Sequence, residues 1–157
     1  MTQRPELIRR PNLLRSKVGG TFGGIDAAAV ARAEQALKAL SSQFDEWLQD
    51  EMVKLEAAET AIREQGYNAT TADGLYMRAH DLKGLGTTYQ YPLVTRVAGS
   101  LCRLMDNQQQ RENAPWSLIE AHISAIRAIV RDKIQDENHP VGCELAEALE
   151  AEVRALG

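Results

Sequence analysis

Three residues near the middle of the sequence have the types and the spacing for chemistry on one helical face. They are His80, Lys83 and Gly84. Residues three and four apart on a helix are surface neighbours, so a helix would place the Lys83 ammonium and the bare backbone of Gly84 beside the His80 imidazole. An imidazole nitrogen can act as a nucleophile, and an ammonium group attracts anions. The spacing therefore predicts an exposed nucleophile with a cation and open space beside it.

The glycines of this stretch strengthen that interpretation. A glycine in a helix interior costs about 1 kcal/mol relative to alanine, yet Gly84 and Gly86 fall within one turn and Gly74 lies near the predicted start of the helix. A glycine permits the close approach of another surface that a larger side chain would obstruct. We therefore expect Gly84 and Gly86 to clear a docking surface around His80.

The same residues resemble the signature of a known family. His80–Gly84 is similar to the H-x-x-K-G motif of histidine-containing phosphotransfer (HPt) domains, the helical modules of bacterial phosphorelays. The likeness continues through Gly86–Thr88, where the family usually has small residues, and into Leu101–Leu104, which looks like its L-C-x-L segment. Family members often have a glycine where Gln90 stands and an acid where Met105 stands, so the turn after the motif departs from the pattern.

The resemblance implies a phosphorelay intermediate. His80 would accept a phosphoryl group through Nε2 from the aspartyl phosphate of a response-regulator receiver and pass it to another receiver, with Lys83 as the phosphate neighbour. The receiver would hold the Mg²⁺, so no metal or cofactor is expected here. The partners would be receiver domains, including one within a hybrid histidine kinase. The candidate docking residues around the acceptor are Tyr76, Met77, Gly84, Thr87 and Thr88.

Each assignment has a plainer alternative. A single helical histidine is more often an ordinary surface residue, Lys83 could be only solvated, and Gly84 could be a packing contact. Among the other histidines, His122 lies beside an apolar stripe and is expected to be structural, and His139 precedes a proline and is expected to cap a helix or to have no role. A three-histidine metal site has no supporting spacing.

Two further functions stay open from sequence. The chain could be a non-catalytic helical module that binds receivers or other signalling proteins. It could also be a dimeric phosphotransferase that borrows a kinase-like four-helix dimer, although a monomer is the expectation. It shows no nucleotide-binding glycine loop, so it is expected to be a phosphoryl carrier and not an enzyme with its own ATP-binding domain.

Composition narrows the class of protein. The 157 residues carry a formal charge of -4, but residues 1–24 hold five basic side chains and one acid, which leaves about -8 for the rest. An acidic domain is a poor binder of nucleic acid, which requires clustered positive charge. Two cysteines without metal spacing indicate neither a disulfide framework nor a zinc site. With no signal peptide and no apolar run long enough to span a bilayer, a cytoplasmic location and no membrane association are expected.

The pattern of apolar residues predicts an all-α fold, an up-and-down four-helix bundle over residues 26–137. An irregular N-terminal arm over 1–25, rich in proline and glycine, would precede it, and an extra C-terminal helix over 138–157 would follow. The first bundle helix would begin at the cap Asp26 and end near Gln65. Its expected buried stripe is Val30, Leu37, Leu40, Phe44, Trp47, Leu48, Met52, Leu55, Ala58 and Ile62.

Local signals place the other helices. Thr70–Asp73 has the form of a capping box, so the helix with His80 should begin near Thr70 or Thr71. Pro92 and Pro115 suit the first turns of the next two helices, where a missing N–H costs nothing. Asp106–Asn113 is polar throughout and predicts a solvated loop. After Pro140, apolar residues at helical spacing predict the last helix.

Overall fold

The protein is all-helical. The computed structural model describes the backbone of residues 3–157 and the side chains from residue 26 onward. No strand occurs within that range. The six helices are α1 (Gln3–Gln65), α2 (Ala69–Leu85), α3 (Pro92–Leu104), α4 (Gln108–Asn113), α5 (Trp116–Arg131) and α6 (Pro140–Leu156).

The N-terminal residues differ from the sequence prediction. Residues 3–25 are part of α1 and not an irregular arm. Pro5 lies in the first turn, where its missing N–H costs nothing. Pro11 and the glycines lower helix propensity, but propensity is a weak prior that context overrides. For the same reason the predicted start at Asp26 is wrong.

Contacts divide the chain into two compact units, Met1–Gln43 and Phe44–Gly157. In the first unit, the side chains of residues 27–43 are all exposed. Val30, Leu37 and Leu40 were predicted to be buried, and this prediction is wrong because they are 47%, 66% and 42% exposed. Helical spacing identifies an apolar face but does not identify the neighbour that covers it.

The second unit contains the hydrophobic core. Five of its helices contribute buried residues: Leu48, Met52, Leu55 and Ile62 from α1; Leu75, Ala79 and Leu82 from α2; Val94, Val97 and Leu101 from α3; Ile119, Ile123 and Ile126 from α5; and Leu149 and Val153 from α6. α3 packs against α2, α5 and α6, and α6 also packs against α5. This core supports α2 from one side and leaves its other face exposed.

Polar contacts fix helix pairs within the second unit. The buried Glu59 of α1 accepts hydrogen bonds from Arg127 of α5 (2.8 Å) and from Arg63 (3.2 Å). Arg96 of α3 binds both carboxylate oxygens of Glu150 in α6, at 2.9 and 2.8 Å. Two donors on one planar guanidinium hold a carboxylate in a defined orientation, so these pairs set the register of the helices they join.

The ends of α1 and α2 are set by local hydrogen bonds. α1 ends before Gly66, whose φ of +87° favours glycine, as predicted. α2 begins one or two residues earlier than expected, because Asn68 and not Thr70 is its N-cap. The Asn68 side chain accepts from the Thr71 N–H at 3.0 Å, and the Thr71 hydroxyl accepts from the Asn68 N–H at 3.0 Å.

The remaining connections contain one further correction. Pro92 is the first residue of α3, and α5 begins directly after Pro115, as predicted. The polar stretch 106–113 is not only a loop, because it contains α4. Asn107 caps α4 by accepting from the Gln110 N–H at 2.8 Å, and the Gln110 side chain accepts from the Asn107 N–H at 3.4 Å.

Candidate functional site

His80 lies on the exposed face of α2. The opposite face of that helix carries the buried residues Leu75, Ala79 and Leu82. His80 directly follows the buried Ala79 and lies beside the buried stripe. Its side chain is exposed. The spacing argument predicted this accessible position. The imidazole is therefore available to a partner surface.

Lys83 provides a cation on the same face of α2. Its side chain is exposed, and a Cβ placed on Gly99 of α3 would lie 4.0 Å from Lys83 Cγ, so its stem runs toward α3. Burial raises the pKa of the Cys102 thiol on α3, and the positive charge of Lys83 partly opposes that rise. The positive charge of Lys83 on α2 therefore acts on the Cys102 thiol of α3.

The two glycines of the motif have different structural roles. A Cβ built on Gly84 would meet no heavy atom of the described residues within 4 Å, apart from its own helix backbone. A Cβ on Gly86 would lie 2.5 Å from Thr95 Oγ1 and 2.6 Å from Thr95 N. Gly86 is buried and is required by packing against α3, so the expectation that it helps to clear the docking surface is wrong. Packing within the described chain does not require Gly84.

The threonines form the edge of this face. Thr87 and Thr88 are both exposed. The Thr87 N–H donates to Thr95 Oγ1 at 2.7 Å, and the two hydroxyl oxygens of Thr87 and Thr95 are 3.1 Å apart. Thr87 is thereby tied to the first turn of α3, which fixes the position of the edge relative to His80.

Tyr76 and Met77 lie one turn before His80. Met77 is 58% exposed. Tyr76 is half-buried, and its ring centroid lies 6.3 Å from that of His80, within the range of aromatic pairs. Arg111 of α4 stacks on the Tyr76 ring at 4.1 Å and pairs with Asp73 at 2.8 Å.

Arg111 is a residue that the sequence reasoning missed. Its Nε donates to the Met105 carbonyl at 3.1 Å, and its own carbonyl accepts from the Tyr67 hydroxyl. The stretch around it was interpreted as a solvated loop. The signal that could have placed it is the capping pair Asn107 and Gln110, three residues apart.

The other two histidines have structural roles, as predicted. His122 is fully buried, with Nδ1 2.7 Å from the Leu118 carbonyl and Nε2 2.9 Å from Ser100 Oγ. A carbonyl only accepts, so Nδ1 carries the proton and the Ser100 hydroxyl donates to Nε2. His139 caps α6, because its Nδ1 accepts from the Gly142 N–H at 3.1 Å.

The site is a surface and not a pocket. A groove of about 560 Å³ is lined by Arg103, Leu104, Gln110, Asn113, Ala114, Pro115, Val153, Arg154, Leu156 and Gly157, none of which is a candidate site residue. No group of three or more possible metal ligands occurs among the described residues. Among the described residues, no helix is both long enough and apolar enough to cross a bilayer.

Taken together, α2 presents an exposed imidazole, an ammonium group three residues on and an uncovered glycine four residues on. This arrangement can bring a nucleophilic nitrogen against an anionic group carried on another large molecule. Compared with known proteins, the chain matches no family model, no curated protein and no solved structure.

Proposed function

We propose that the protein is a phosphorelay intermediate that receives a phosphoryl group on His80 from a receiver aspartate and passes it to a second receiver. The observation that carries the proposal is the exposed His80 with Lys83 beside it and Gly84 open to an approaching surface. The resemblance of His80–Gly84 to the HPt motif supplies the identity of the group transferred. The role belongs to the cytoplasm, where receiver domains operate.

The chemistry requires little from this chain. The lone pair of His80 Nε2 attacks phosphorus, the P–N bond forms, and the P–O bond to the receiver aspartate breaks as that carboxylate leaves. Nδ1 keeps its proton during the attack. Positioning and charge compensation account for most of the catalysis of phosphoryl transfer. Lys83 supplies positive charge toward the phosphoryl oxygens, and the receiver supplies its own divalent cation.

The proposed scaffold is an up-and-down four-helix bundle formed by residues 44–65 of α1 with α2, α3 and α5. Its support is the set of contacts within the second unit, including α2 with α3, α3 with α5, and Glu59 with Arg127. The aromatic rings of Phe44 and Trp47 pack against Tyr89 after α2, with centroids 5.5 and 5.8 Å away. α6 adds a further helix against α3 and α5.

The docking surface of this proposal surrounds His80. It combines the exposed Met77, Gly84, Thr87 and Thr88 with the half-buried Tyr76. Receivers, whether separate proteins or parts of a hybrid kinase, would bring their aspartyl phosphate onto this face. An exposed surface suits a carrier, because donor and acceptor must use it in turn.

Transfer from charged receivers tests the proposal. Receivers of the source organism are phosphorylated with a labelled small phosphodonor and mixed with the full chain. We expect acid-labile, base-stable label on the wild type, none on His80→Gln, and at least about tenfold slower labelling of Lys83→Ala. His139→Asn, which keeps a capping side chain, is the matched histidine control and should label normally.

Two outcomes would reject the carrier role. Label on His80→Gln would place the acceptor elsewhere. A wild type that no charged receiver labels, but that binds receivers in a pull-down or by calorimetry, would favour the non-catalytic interaction module instead. That alternative draws on the same exposed face, since docking residues alone can bind a partner without transfer.

A further inference from the structure

The first unit exposes an apolar stripe along α1. Val30, Ala33, Leu37 and Leu40 lie at intervals of three and four residues, and we call these four residues the N-terminal stripe. All four are exposed, and Leu37 is 66% exposed. The stripe is separate from the buried series that begins at Leu48 and belongs to the second unit. It therefore requires its own explanation.

A helix with these properties gains stability from a partner. Most helical stability in proteins comes from packing of an apolar face against a neighbour and not from helix propensity. Residues 27–43 are exposed throughout, so burial does not account for their helical conformation. Covering the N-terminal stripe would supply the missing apolar contact.

The spacing of the stripe is that of a coiled coil. Val30 and Leu37 are seven residues apart, as are Ala33 and Leu40, which places them at the a and d positions of a heptad. Such a 3.5-residue repeat keeps an apolar seam facing a like helix. A β-branched residue at a and leucine at d favour two parallel strands. Val30 and Leu40 fit this preference, whereas Leu37 at the second a position and Ala33 at the first d position are apolar without following it.

The flanks of the stripe suit a second copy of the same chain. In heptad register the g positions are Ala29 and Ala36, and the e positions are Glu34 and Ser41. In a parallel pair the g residue of one helix faces the e residue of the next heptad in its partner. Glu34 then faces Ala29 of the second copy, so identical helices meet without a like-charge pair.

The distribution of charge also argues against a partner that is selected by complementary charge. The charged residues Arg32 and Lys38 fall at positions c and b, away from the seam. A partner selected by charge would be recognised through charged e and g residues, and Glu34 is the single one in this segment. Small neutral flanks are compatible with close approach of two identical helices.

We propose that the N-terminal stripe pairs in parallel with the same stripe of a second copy, so that the protein is a dimer. This replaces the monomer expected from sequence. The inference does not rest on the phosphorelay role, since it uses residues of the first unit alone. The site on α2 belongs to the other unit, and each can be tested without the other.

The mass of the full chain in solution tests the proposal. Sedimentation equilibrium over a range of concentrations should give a mass that rises from 17.4 kDa toward twice that value. Leu37→Glu should raise the dimer dissociation constant at least about tenfold, because it buries an unpaired carboxylate in the seam. Val53→Glu is the matched control, since Val53 is an exposed residue of α1 outside the stripe, at 63% against 66% for Leu37.

Orientation is tested by cross-linking. In a Cys143→Ser background, Ala33→Cys should join two copies through a short bis-maleimide if the helices are parallel and in register. A dimer that does not cross-link at position 33 would overturn the parallel arrangement. Two results would overturn the N-terminal stripe as a dimer interface. One is a monomer at every concentration, and the other is a dimer that Leu37→Glu and Val53→Glu weaken equally. Either result would mean that a different protein covers the stripe. Circular dichroism should show that both glutamate variants stay folded.

Discussion

At the scale of single residues, the three histidines of this chain differ in their surroundings. His80 is exposed on α2, His122 is sealed in the core with both ring nitrogens hydrogen-bonded, and His139 caps α6. His80 combines an accessible ring with the ammonium group of Lys83 three residues further along the same helix. Position beside a buried helical stripe does not by itself decide exposure, because His122 directly precedes the buried Ile123 and is itself buried, whereas His80 follows the buried Ala79 and is exposed.

The buried His122 should make the stability of the protein depend on pH. Burial lowers the pKa of His122, and its hydrogen bond to the Leu118 carbonyl only partly opposes this. The unfolded chain binds a proton near pH 6.5 and the folded chain at lower pH. Stability is therefore full above about pH 6.5 and decreases as the pH falls below it, by up to about 1.4 kcal/mol per pH unit.

Urea unfolding at pH 7.5 and pH 5.5 measures this effect. The wild type should lose about 1 kcal/mol more between these values than His122→Gln, whose carboxamide does not titrate. The difference between the two proteins cancels the contributions of the exposed acids and of the other histidines. Equal losses in both proteins would mean that His122 is not the responsible group.

The glycines on α2 provide a second residue-scale prediction. Gly84→Ala should stabilise the fold by up to about 1 kcal/mol, because its Cβ meets open space, and yet slow phosphoryl transfer by obstructing the docking surface. Gly74→Ala should stabilise similarly without slowing transfer. Gly86→Ala should destabilise by about 1–3 kcal/mol because it collides with Thr95. Denaturant unfolding and transfer rates measured on all three variants check this.

The contrast between Gly84 and Gly74 decides the docking assignment. Both positions lack a neighbour among the described residues, but Gly74 lies on a different side of α2 from His80, by helical spacing. If Gly84→Ala transfers as fast as Gly74→Ala, then the open space at Gly84 does not serve docking.

At the scale of elements, the turn between α2 and α3 contains one residue, Gln90, with an unfavourable backbone conformation. The turn is closed by the Tyr91 N–H, which donates to the Gly86 carbonyl at 2.7 Å, and by the Gln90 N–H, which donates to the Thr87 carbonyl at 3.0 Å. Gln90 has a φ of 70°, in the left-handed region that favours glycine. The backbone conformation at position 90 thus favours glycine, although the chain has glutamine there.

Gln90→Gly should therefore stabilise the protein. A non-glycine residue pays roughly 1–2 kcal/mol in the left-handed region, and part of that gain is lost because glycine makes the unfolded chain more flexible. We expect a net gain of about 0.5–1 kcal/mol in the free energy of unfolding. Thermal and urea unfolding measure it, and Thr88→Gly, in the same turn without a positive φ, should destabilise. A loss of stability in Gln90→Gly would contradict the strain argument.

At the scale of the whole molecule, the sequence predicted the features that follow from the spacing of apolar residues and from the capping residues at helix ends. The all-helical class, the presence of α2, α3, α5 and α6, and the proline-marked starts of α3 and α5 were all predictable. The helix in residues 3–25 was not, because proline and glycine content argued against it. Exposure of Val30, Leu37, Leu40 and Trp47 was also missed, since a pattern of apolar residues does not reveal which neighbours exist.

The distribution of the core leads to a last prediction about independent folding. All buried apolar side chains of the described residues lie in the second unit, from Leu48 to Val153. The side chains of residues 27–43, in the first unit, are exposed. A shortened chain that begins at Ser41, which can serve as a helix N-cap, should fold cooperatively. Its free energy of unfolding should lie within about 1 kcal/mol of that of the full chain at low concentration, since the side chains of residues 27–40 that it loses are exposed and loss of exposed side chains costs little.

The same shortened chain separates the two proposals. It retains α2 and its exposed face, so it should accept phosphoryl groups on His80 at the rate of the full chain. It lacks the N-terminal stripe, so its mass should not rise with concentration as that of the full chain does. Unfolding curves, labelling rates and sedimentation on one preparation provide all three measurements. A shortened chain that fails to fold would show that residues before Ser41 stabilise the core, and one that still dimerises would place the interface on the second unit.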